Sequence, residues 1–372
     1  MRIHALEARQ FRNLEQVLIE PHPRFNVLSG DNGQGKTNVL EAIYLLGTLR
    51  SFRAGKTEEM VRFGAAQALV RARVEKLGTQ RMLEVTLAPG HKHARVDGKG
   101  ARASDYFGGF NVVLFAPEDL RLPKGAPAGR RRFVDRAVWN AHPAYLGEVQ
   151  TYEKVLRSRN AVLRDAGLGP RPKAGVASGA SFVDSMLEVY DEQLARAAVA
   201  IVTRRRALVD ELGPRVRAAF ERVTQTGLSL QISYETTLDI SNIEHSLLER
   251  LRAERRRDLA RGSTSSGPHV DDLDLVLDEK SAKLYASQGQ LRAIVLALKI
   301  AEIEFLRDKL GDSPVLLLDD VSSELDPKRN AQLFDFLKSV PCQAFITTTH
   351  RSHVLLSEER LDFHVVAGAV NR

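Results

Sequence analysis

Short apolar runs, several of them alternating with polar residues, dominate the first 115 positions of the chain. This pattern predicts β-strands, and turn signals such as Pro89-Gly90 and the run DGKG (97–100) separate them. Several of these strands follow one another without room for a helix, so part of the sheet must be antiparallel. The runs are RIHALEA, QVLIEP, FNVLSG, ALVRARVEK, RMLEVTLA and FNVVLFA.

Beyond residue 117 the apolar positions recur at helical spacing. The spacing predicts one helix over 143–164 and a second over 181–212, which Gly213-Pro214 should end. Between them AGLGPRPKAGVASGAS has the composition of a loop. The two helices should therefore fold back on each other as an antiparallel pair.

The last third of the chain alternates helical runs with near-continuous apolar strands such as VLLLDD, QAFITTTH and FHVVA. Such alternation is typical of a parallel sheet with both faces covered. We therefore predict an α/β fold with mixed antiparallel and parallel sheets and an inserted all-helical lobe. The predicted boundaries are 1–116 for the first half of the main domain, 117–226 for the lobe and 227–372 for the second half.

Composition restricts the class of protein. The chain is 43% hydrophobic and 27% charged, with 54 Lys+Arg against 47 Asp+Glu, a net charge of +7 and a pI near 9.5, which suits a polyanionic partner. One cysteine, Cys342, excludes an internal disulfide framework. The charged start is unlike a secretory signal, and no apolar run approaches the roughly 20 residues of a membrane helix. We predict a cytoplasmic protein with no membrane partner.

The sequence GDNGQGKT, residues 30–37, carries the clearest chemistry. Its glycines let successive backbone N–H groups point at phosphates, and the helix that follows presents its positive end. Lys36 should reach the β- and γ-phosphates of ATP, and the Thr37 hydroxyl should hold Mg²⁺. The alternative to a phosphate site is a purely structural glycine turn that caps a helix beside a surface lysine. The candidate ATP-binding residues here are Gly30, Asp31, Asn32, Gly33, Gln34, Gly35, Lys36, Thr37 and Asn38.

An apolar strand that ends in two acids, VLLLDD (315–320), supplies the partner motif. Asp319 should bind Mg²⁺ or one of its waters, and Asp320 should lie where a general base belongs. Parallel sheets bind ligands at the carboxyl ends of their strands, which is where this pair falls. Taken alone, the pair could equally cap a helix.

The order of these motifs resembles the ABC-type P-loop ATPases, in which the serine-glycine signature of one subunit closes on the γ-phosphate that the other subunit holds. The resemblance assigns SQGQ (287–290) to the signature, SELD (323–326) to the dimer loop and His350 to the switch histidine. It implies a two-fold dimer that encloses two nucleotides. The signature residues are Ser287, Gly289 and Gln290, Asp326 joins them in the composite ATP site, and the catalytic set is Lys36, Asp320 and His350.

Three features depart from the ABC pattern. The signature ASQGQ lacks the leucine and one glycine of the common form. Asp320 stands where most relatives carry glutamate, and the shorter arm predicts slow hydrolysis. No glutamine follows the strand FNVVLFA, where a metal-sensing glutamine is expected, and PEDL (117–120) stands there instead.

Several further stretches resemble the RecF family of bacterial recombination mediators: FRNL, GDNGQGKTNVLEAIYLL, FAPEDL, RRRFVDR, GPHVDDL, SQGQLR and LLLDDVSSELD. They run from one end of the chain to the other. The resemblance implies ATP-dependent dimerisation on DNA, recognition of duplex, gapped or junction DNA, and cooperation with RecR and RecO in loading RecA.

Arginine triplets are the candidate DNA contacts. Residues 118–226 hold 19 Lys+Arg and 13 Asp+Glu, so the predicted lobe carries a net +6. Guanidinium clusters fit phosphate oxygens, and such binding is salt-sensitive and tolerant of sequence. The alternative is that these residues are solvated helix faces or internal ion pairs. The triplets are Arg130, Arg131 and Arg132; Arg204, Arg205 and Arg206; and Arg255, Arg256 and Arg257.

The leading hypothesis from the sequence is a slow, DNA-responsive ATPase of DNA repair that works as a dimerisation switch. Two others remain open. One is the ATPase subunit of a membrane transporter, which the basic charge does not predict. The other is a structural chromosome-organising protein that binds ATP but scarcely hydrolyses it. The aspartate at position 320 is consistent with this hypothesis.

Overall fold

The computed structural model of the chain describes residues 1–168 and 177–372. The centre of the predicted loop between the two long helices, residues 169–176, lies outside them. The strands are β1 Arg2–Phe11, β2 Leu14–Ile19, β3 Phe25–Ser29, β4 Ala68–Lys76, β5 Thr79–Ala88, β6 His91–Val96, β7 Lys99–Gly100, β8 Val112–Phe115, β9 Leu230–Glu235, β10 Asp272–Leu277, β11 Lys280–Ser281, β12 Val315–Asp319, β13 Ala344–Thr348, β14 Arg360–Val366 and β15 Ala369–Asn371.

The helices are α1 Lys36–Thr48, α2 Ala103–Tyr106, α3 Pro127–Ala141, α4 Tyr145–Leu168, α5 Ala177–Thr224, α6 Ile243–Ala253, α7 Arg255–Arg261, α8 Ala282–Tyr285, α9 Gln288–Leu310, α10 Val321–Glu324 and α11 Pro327–Ser339. Short 3-10 turns occupy Glu58–Met60, Pro117–Arg121, Ile240–Asn242 and Arg351–His353.

The chain forms two compact units. Unit 1 contains residues 1–124, 215–230 and 277–372, and unit 2 contains 125–214 and 231–276. These ranges differ from the boundaries that the sequence predicted, because the second segment of unit 2 falls inside the predicted second half of the main domain. That segment includes α6, α7 and most of β9 and β10, so unit 2 is not purely helical.

One sheet of unit 1 is antiparallel, as the crowding of the strands predicted, and has the order β2-β1-β4-β5-β6-β7. Alternate residues on β1, β4 and β5 are buried and face a core shared with α1. The other face carries charges of alternating sign. The register places Arg71 between Glu7 and Glu84, and Glu84 between Arg71 and Arg95. We call this row, Glu7-Arg71-Glu84-Arg95, the charge ladder.

The second sheet of unit 1 has the order β15-β14-β3-β13-β12-β8, and its strands are parallel from β14 to β8. Every residue of β3, β12 and β13 is buried. This agrees with the prediction of near-continuous apolar strands in a covered parallel sheet. Because the register aligns Ser29 with Thr348 and Asp319 with Thr347, the carboxyl ends of these three strands meet at one edge.

Helix α4 and the part of α5 that lies in unit 2 are antiparallel, as predicted. Glu148 near the start of α4 pairs with Arg204 of α5, at 2.8 Å between Oε2 and Nε. Further along α4, Arg159 pairs with Asp191, which lies earlier on α5. Because the two ion pairs occur in opposite order along α4 and α5, the helices run in opposite directions.

The predicted end of the second helix at Gly213-Pro214 is wrong, because α5 continues through Pro214 to Thr224 and is 48 residues long. Proline removes one helical hydrogen bond, but burial of apolar residues on the next turns offsets that loss. Val216, Phe220 and Val223, at helical spacing beyond the proline, are all buried. A local breaker signal was therefore overridden by packing.

Candidate nucleotide-binding site

The loop between β3 and α1 turns on glycines that no other residue could replace without strain. Gly30 and Gly35 have φ of 150° and 117°, in the region that favours glycine. A Cβ atom at Gly30 would lie 2.3 Å from the carbonyl oxygen of Val365, and one at Gly35 would lie 2.7 Å from Oδ1 of Asn13. A side chain at Gly30 or Gly35 would thus clash with its neighbours, whereas a Cβ at Gly33 would meet no atom within 4 Å.

Lys36, the first residue of α1, is only 6% exposed. Its Nζ donates to the carbonyl oxygens of Gly30 at 2.5 Å and of Asp31 at 2.8 Å. Burial lowers the pKa of Lys36, and the nearby carboxylates of Asp320 and Asp319 oppose that shift. The loop therefore holds an ammonium group at the positive end of α1, a position suited to phosphate oxygens.

Asp319, the last residue of β12, is buried beside the first turn of α1. Its Oδ1 accepts hydrogen bonds from the hydroxyl groups of Thr37 at 2.7 Å and Thr347 at 2.8 Å. Burial raises the pKa of Asp319, and these two hydrogen bonds act against the rise. A hydroxyl and a carboxylate in contact are hard oxygen ligands of the kind that Mg²⁺ takes.

The donor set fits Mg²⁺ in an ATP complex rather than a metal held by the protein alone. Within residues 1–168 and 177–372, no group of three or more His, Cys, Asp or Glu side chains could form a metal site. Mg²⁺ commonly binds through one or two carboxylates together with substrate phosphates and water. Thr37 and Asp319 would supply the protein ligands of such a complex.

Asp320 follows directly and has a left-handed backbone, with φ of 49°. Its N–H donates to Oγ1 of Thr347 at 2.9 Å, and its carbonyl oxygen accepts from the hydroxyl of Ser323 at 2.7 Å. In the described part of the chain, its buried Oδ1 has no hydrogen-bond partner. A strained backbone with a buried, unsatisfied carboxylate oxygen is typical of a functional position.

His350 follows β13 at the same edge of the sheet. Its N–H donates to Oγ1 of Thr348 at 3.1 Å, and its exposed ring packs against His353 at 5.4 Å between centroids. The next residue, Arg351, donates from Nε to the hydroxyl of Ser29 at 3.0 Å and so ties this turn to the end of β3. The fold thus brings the phosphate loop, the acid pair and the predicted switch histidine to one edge.

The predicted signature SQGQ begins α9. Ser287 is the N-cap, where its hydroxyl accepts from the N–H of Gln290 at 3.2 Å, while Oε1 of Gln290 accepts from the N–H of Ser287 at 2.7 Å. Gly289 lies against the guanidinium of Arg329, which pairs with Asp326, the N-cap of α11. Among the described residues, no hydrogen bond joins these residues to the phosphate loop, and Ser287 is exposed.

Comparison with known proteins supplies the decisive observation. The family model described as the RecF/RecN/SMC N terminal domain matches residues 2–367. The DNA replication and repair protein RecF of Anaeromyxobacter dehalogenans (strain 2CP-C) is 47% identical over 362 residues, which cover 94% of this chain and 93% of that protein. The chain belongs to the RecF family.

Other relatives agree with this assignment. RecF of Myxococcus xanthus (strain DK1622) is 45% identical and covers 95% of this chain and 92% of its own length. A solved structure of the recombination mediator protein RecF with ATPrS, in the RecFOR pathway, has a TM-score of 0.88 at 30% identity and covers 100% of this chain and 97% of that one. An Smc head domain from Pyrococcus furiosus, with a TM-score of 0.56 at 15% identity, shares the fold. The predicted α/β fold of the ABC-type ATPase class is confirmed.

Several residues around the RecF-family phosphate loop were not predicted as site residues. Asn13 donates from Nδ2 to the carbonyl oxygen of Gln34 at 3.1 Å and accepts at Oδ1 from Asn38 at 2.7 Å. Arg53 donates to Oδ1 of Asn38 at 3.0 Å. The stretch FRNL, which contains Asn13, was the available signal, but nothing local showed that this turn would support a loop 20 residues away.

Two of the predicted DNA contacts are unavailable to a phosphate. Arg130 is buried and pairs with Asp272, with 2.6 Å between Nη2 and Oδ2. Arg205 is also buried, and its guanidinium donates two hydrogen bonds to the carboxylate of Asp135. For these two arginines the structure corrects the prediction, since their charges are already neutralised inside unit 2.

The rest of the triplets divide by exposure. Arg131 donates to the carbonyl oxygen of Asp271 at 2.7 Å, and Arg204 and Arg255 are half-buried in ion pairs. The exposed members are Arg132, Arg206, Arg256 and Arg257. These four are the arginines of the triplets that a phosphate backbone could reach.

In the ranges that the structure describes, no helix has both the length and the apolar character needed to cross a bilayer.

Proposed function

We propose that this chain is an ATP-dependent, dimerising DNA-binding protein of recombinational DNA repair and a slow ATPase. Its RecF relatives are named as DNA replication and repair proteins, and solved RecF structures contain ATP or ATPrS. The observation that carries the proposal is the contact between Thr37 and Asp319 beside the buried ammonium of Lys36. That geometry fits a triphosphate with its Mg²⁺.

The residues of the phosphate loop would bind and orient ATP. Backbone N–H groups of residues 30–35 would surround the β- and γ-phosphates, while Lys36 neutralises their charge. Bound Mg²⁺, held by Thr37 and Asp319, would stabilise the charge that develops on the phosphate oxygens. Asp320 would orient the attacking water and accept its proton, and His350 would contact the γ-phosphate.

A second copy would complete the site. Ser287, Gly289 and Gln290 present backbone N–H groups and a hydroxyl at the N-terminus of the 23-residue helix α9, which is a favourable place for an anion. Because Ser287 is exposed and makes no hydrogen bond to its own phosphate loop, its anion would come from the partner's ATP. Two identical sites then follow from a two-fold dimer, with Asp326 beside each signature.

DNA and the recombination proteins would be the remaining partners. The four exposed arginines could contact the phosphate backbone of duplex, gapped or junction DNA. RecR and RecO would bind the DNA-bound dimer and promote loading of RecA. The family assignment and the exposed arginines favour this role over that of a transporter ATPase.

The composite site can be tested at Ser287. Ser287→Arg should leave the affinity for labelled ATP unchanged but prevent the increase in mass that ATP produces in analytical ultracentrifugation, because the larger cation blocks closure on the partner's phosphate. Ser357→Arg, at another exposed serine of unit 1, is the matched control and should still dimerise. Normal dimerisation of Ser287→Arg with ATP would show that the site is not shared.

A chromosome-organising protein that scarcely hydrolyses ATP is the second candidate, and Asp320 favours it. The aspartate is shorter than glutamate and one of its oxygens is buried, so its reach toward an attacking water is limited. Single-turnover hydrolysis with and without duplex DNA separates the two roles. Turnover that DNA increases supports the repair ATPase, and hydrolysis no faster than that of Lys36→Met supports the structural role.

A further inference from the structure

The turn after β8 stands where the ABC pattern has a metal-sensing glutamine. Strand β8 is the parallel neighbour of β12, and the register aligns Phe115 with Leu318. Ala116 is therefore level with Asp319, and the 3-10 turn Pro117–Arg121 leaves the sheet beside the acid pair. The turn offers two carboxylates, Glu118 and Asp119.

Asp119 is committed to the interior of unit 1. Its Oδ2 accepts from the N–H of Ala116 at 3.1 Å and lies 3.1 Å from Nζ of Lys299. Lys299, on α9, is 2% exposed and also donates to the carbonyl oxygen of Leu114 at 2.7 Å. The buried lysine thus anchors the turn at Asp119, and Asp119 is not the group that faces a ligand.

Glu118 is the exposed acid of the turn. Burial, and to a smaller degree the charge of Glu118, raises the pKa of Asp319, which places the two carboxylates within electrostatic reach. Glu118, Asp319 and Asp320 together bring three carboxylates to this edge of the sheet. A triphosphate would meet repulsion there unless a divalent cation lies between.

We propose that Glu118 occupies the position of the missing glutamine and makes nucleotide binding conditional on Mg²⁺. A neutral glutamine can hydrogen-bond a metal-bound water without repelling a bare triphosphate. The carboxylate accepts from the same water more strongly, but it also opposes ATP that arrives without metal. This inference rests on the proposed Mg²⁺·ATP site and assigns a role that the sequence left open.

The test compares the affinity for a fluorescent ATP analogue in EDTA with the affinity in saturating Mg²⁺. Glu118→Gln should bind the metal-free analogue about tenfold more tightly than the wild type, since one repulsive charge near the phosphates is gone. Its affinity with Mg²⁺ should change less, so the enhancement by Mg²⁺ falls. Glu358→Gln removes an exposed carboxylate elsewhere in unit 1 and should leave both affinities unchanged.

An unchanged ratio of the two affinities in Glu118→Gln, whether both stay the same or both fall equally, would overturn the inference. Lys36→Met distinguishes this failure from failure of the site itself. If Lys36→Met loses the analogue while Glu118→Gln keeps the wild-type ratio, only the role of Glu118 is wrong. If Lys36→Met binds as the wild type does, the proposed nucleotide site is wrong.

Discussion

Asp319 combines two opposing properties at a single position. Its carboxylate is buried, and burial raises its pKa, yet two threonine hydroxyls donate to it and the lysine of the phosphate loop lies nearby. A buried carboxylate with a raised pKa reduces the stability of the folded chain at neutral pH. The group that fits the metal is therefore also a local source of instability.

Asp319→Asn should make the chain more stable at pH 7 in metal-free buffer and should abolish Mg²⁺-dependent ATP binding. The folded state of the wild type binds this proton more tightly than the unfolded state, so its stability falls as pH rises from the unfolded pKa through the raised folded one. The difference in melting temperature between variant and wild type should therefore shrink as pH approaches about 4.

Asp335→Asn is the matched control, because Asp335 is an exposed acid of unit 1 with a surface lysine nearby. Its melting temperature should follow that of the wild type at every pH. A lower melting temperature for Asp319→Asn at pH 7 would contradict this account of the buried carboxylate.

Charged side chains are also buried between the helices of unit 2. Arg159 of α4 is fully buried and pairs with Asp191 of α5 at 2.6 Å and Asp258 of α7 at 2.7 Å. It also donates to Oγ1 of Thr264 at 2.8 Å. The guanidinium of Arg159 thus ties α4 to α5, to α7 and to the turn that follows α7.

Arg159→Met should lower the free energy of unfolding by about 3–5 kcal/mol, because it leaves the buried carboxylate of Asp258 without its cation and leaves Asp191 with Arg255 alone. Arg157→Met is the control on the same helix, since Arg157 is exposed and lies 3.9 Å from Glu153. It should cost less than about 0.5 kcal/mol. Urea denaturation gives both values, and equal losses for the two variants would argue against a special role for Arg159.

Elements whose signal is local could be predicted from the sequence, and those fixed by distant contacts could not. The phosphate loop and VLLLDD each carry their chemistry within eight residues, so their places at the sheet edge followed from the motif. The extent of α5 depends on burial beyond Pro214, and the inclusion of 231–276 in unit 2 depends on long-range packing. The three arginine triplets look the same in sequence, yet Arg130 and Arg205 are buried whereas their neighbours in the triplets are not.

At the scale of the whole molecule, the positive charge is not concentrated where the sequence placed it, in the predicted lobe. Unit 2 holds 20 Lys+Arg and 19 Asp+Glu, while unit 1 holds 34 and 28. Unit 2 is thus close to neutral, and the excess of the chain lies in unit 1. DNA binding by unit 2 would therefore depend on particular exposed arginines rather than on its overall charge.

Arg256→Glu combined with Arg257→Glu should weaken duplex DNA binding and reduce the dependence of log affinity on log salt by about 2, if each arginine contacts one phosphate. The control is Arg73→Glu with Arg81→Glu, which makes the same change in charge on exposed residues of unit 1. Fluorescence anisotropy over a salt series gives both slopes. An equal effect from the two double variants would show that net charge, not position, governs binding.

The charge ladder on the antiparallel sheet has a consequence for long-range attraction. Its neighbouring strands lie about 4.8 Å apart, whereas mobile ions screen charges over about 8 Å at physiological salt. Opposite signs at the shorter spacing cancel before solvent has to screen them, so the charge ladder itself projects little field. A polyanion drifting past would be neither drawn to the ladder nor turned away by it, and its capture would depend on other parts of the surface.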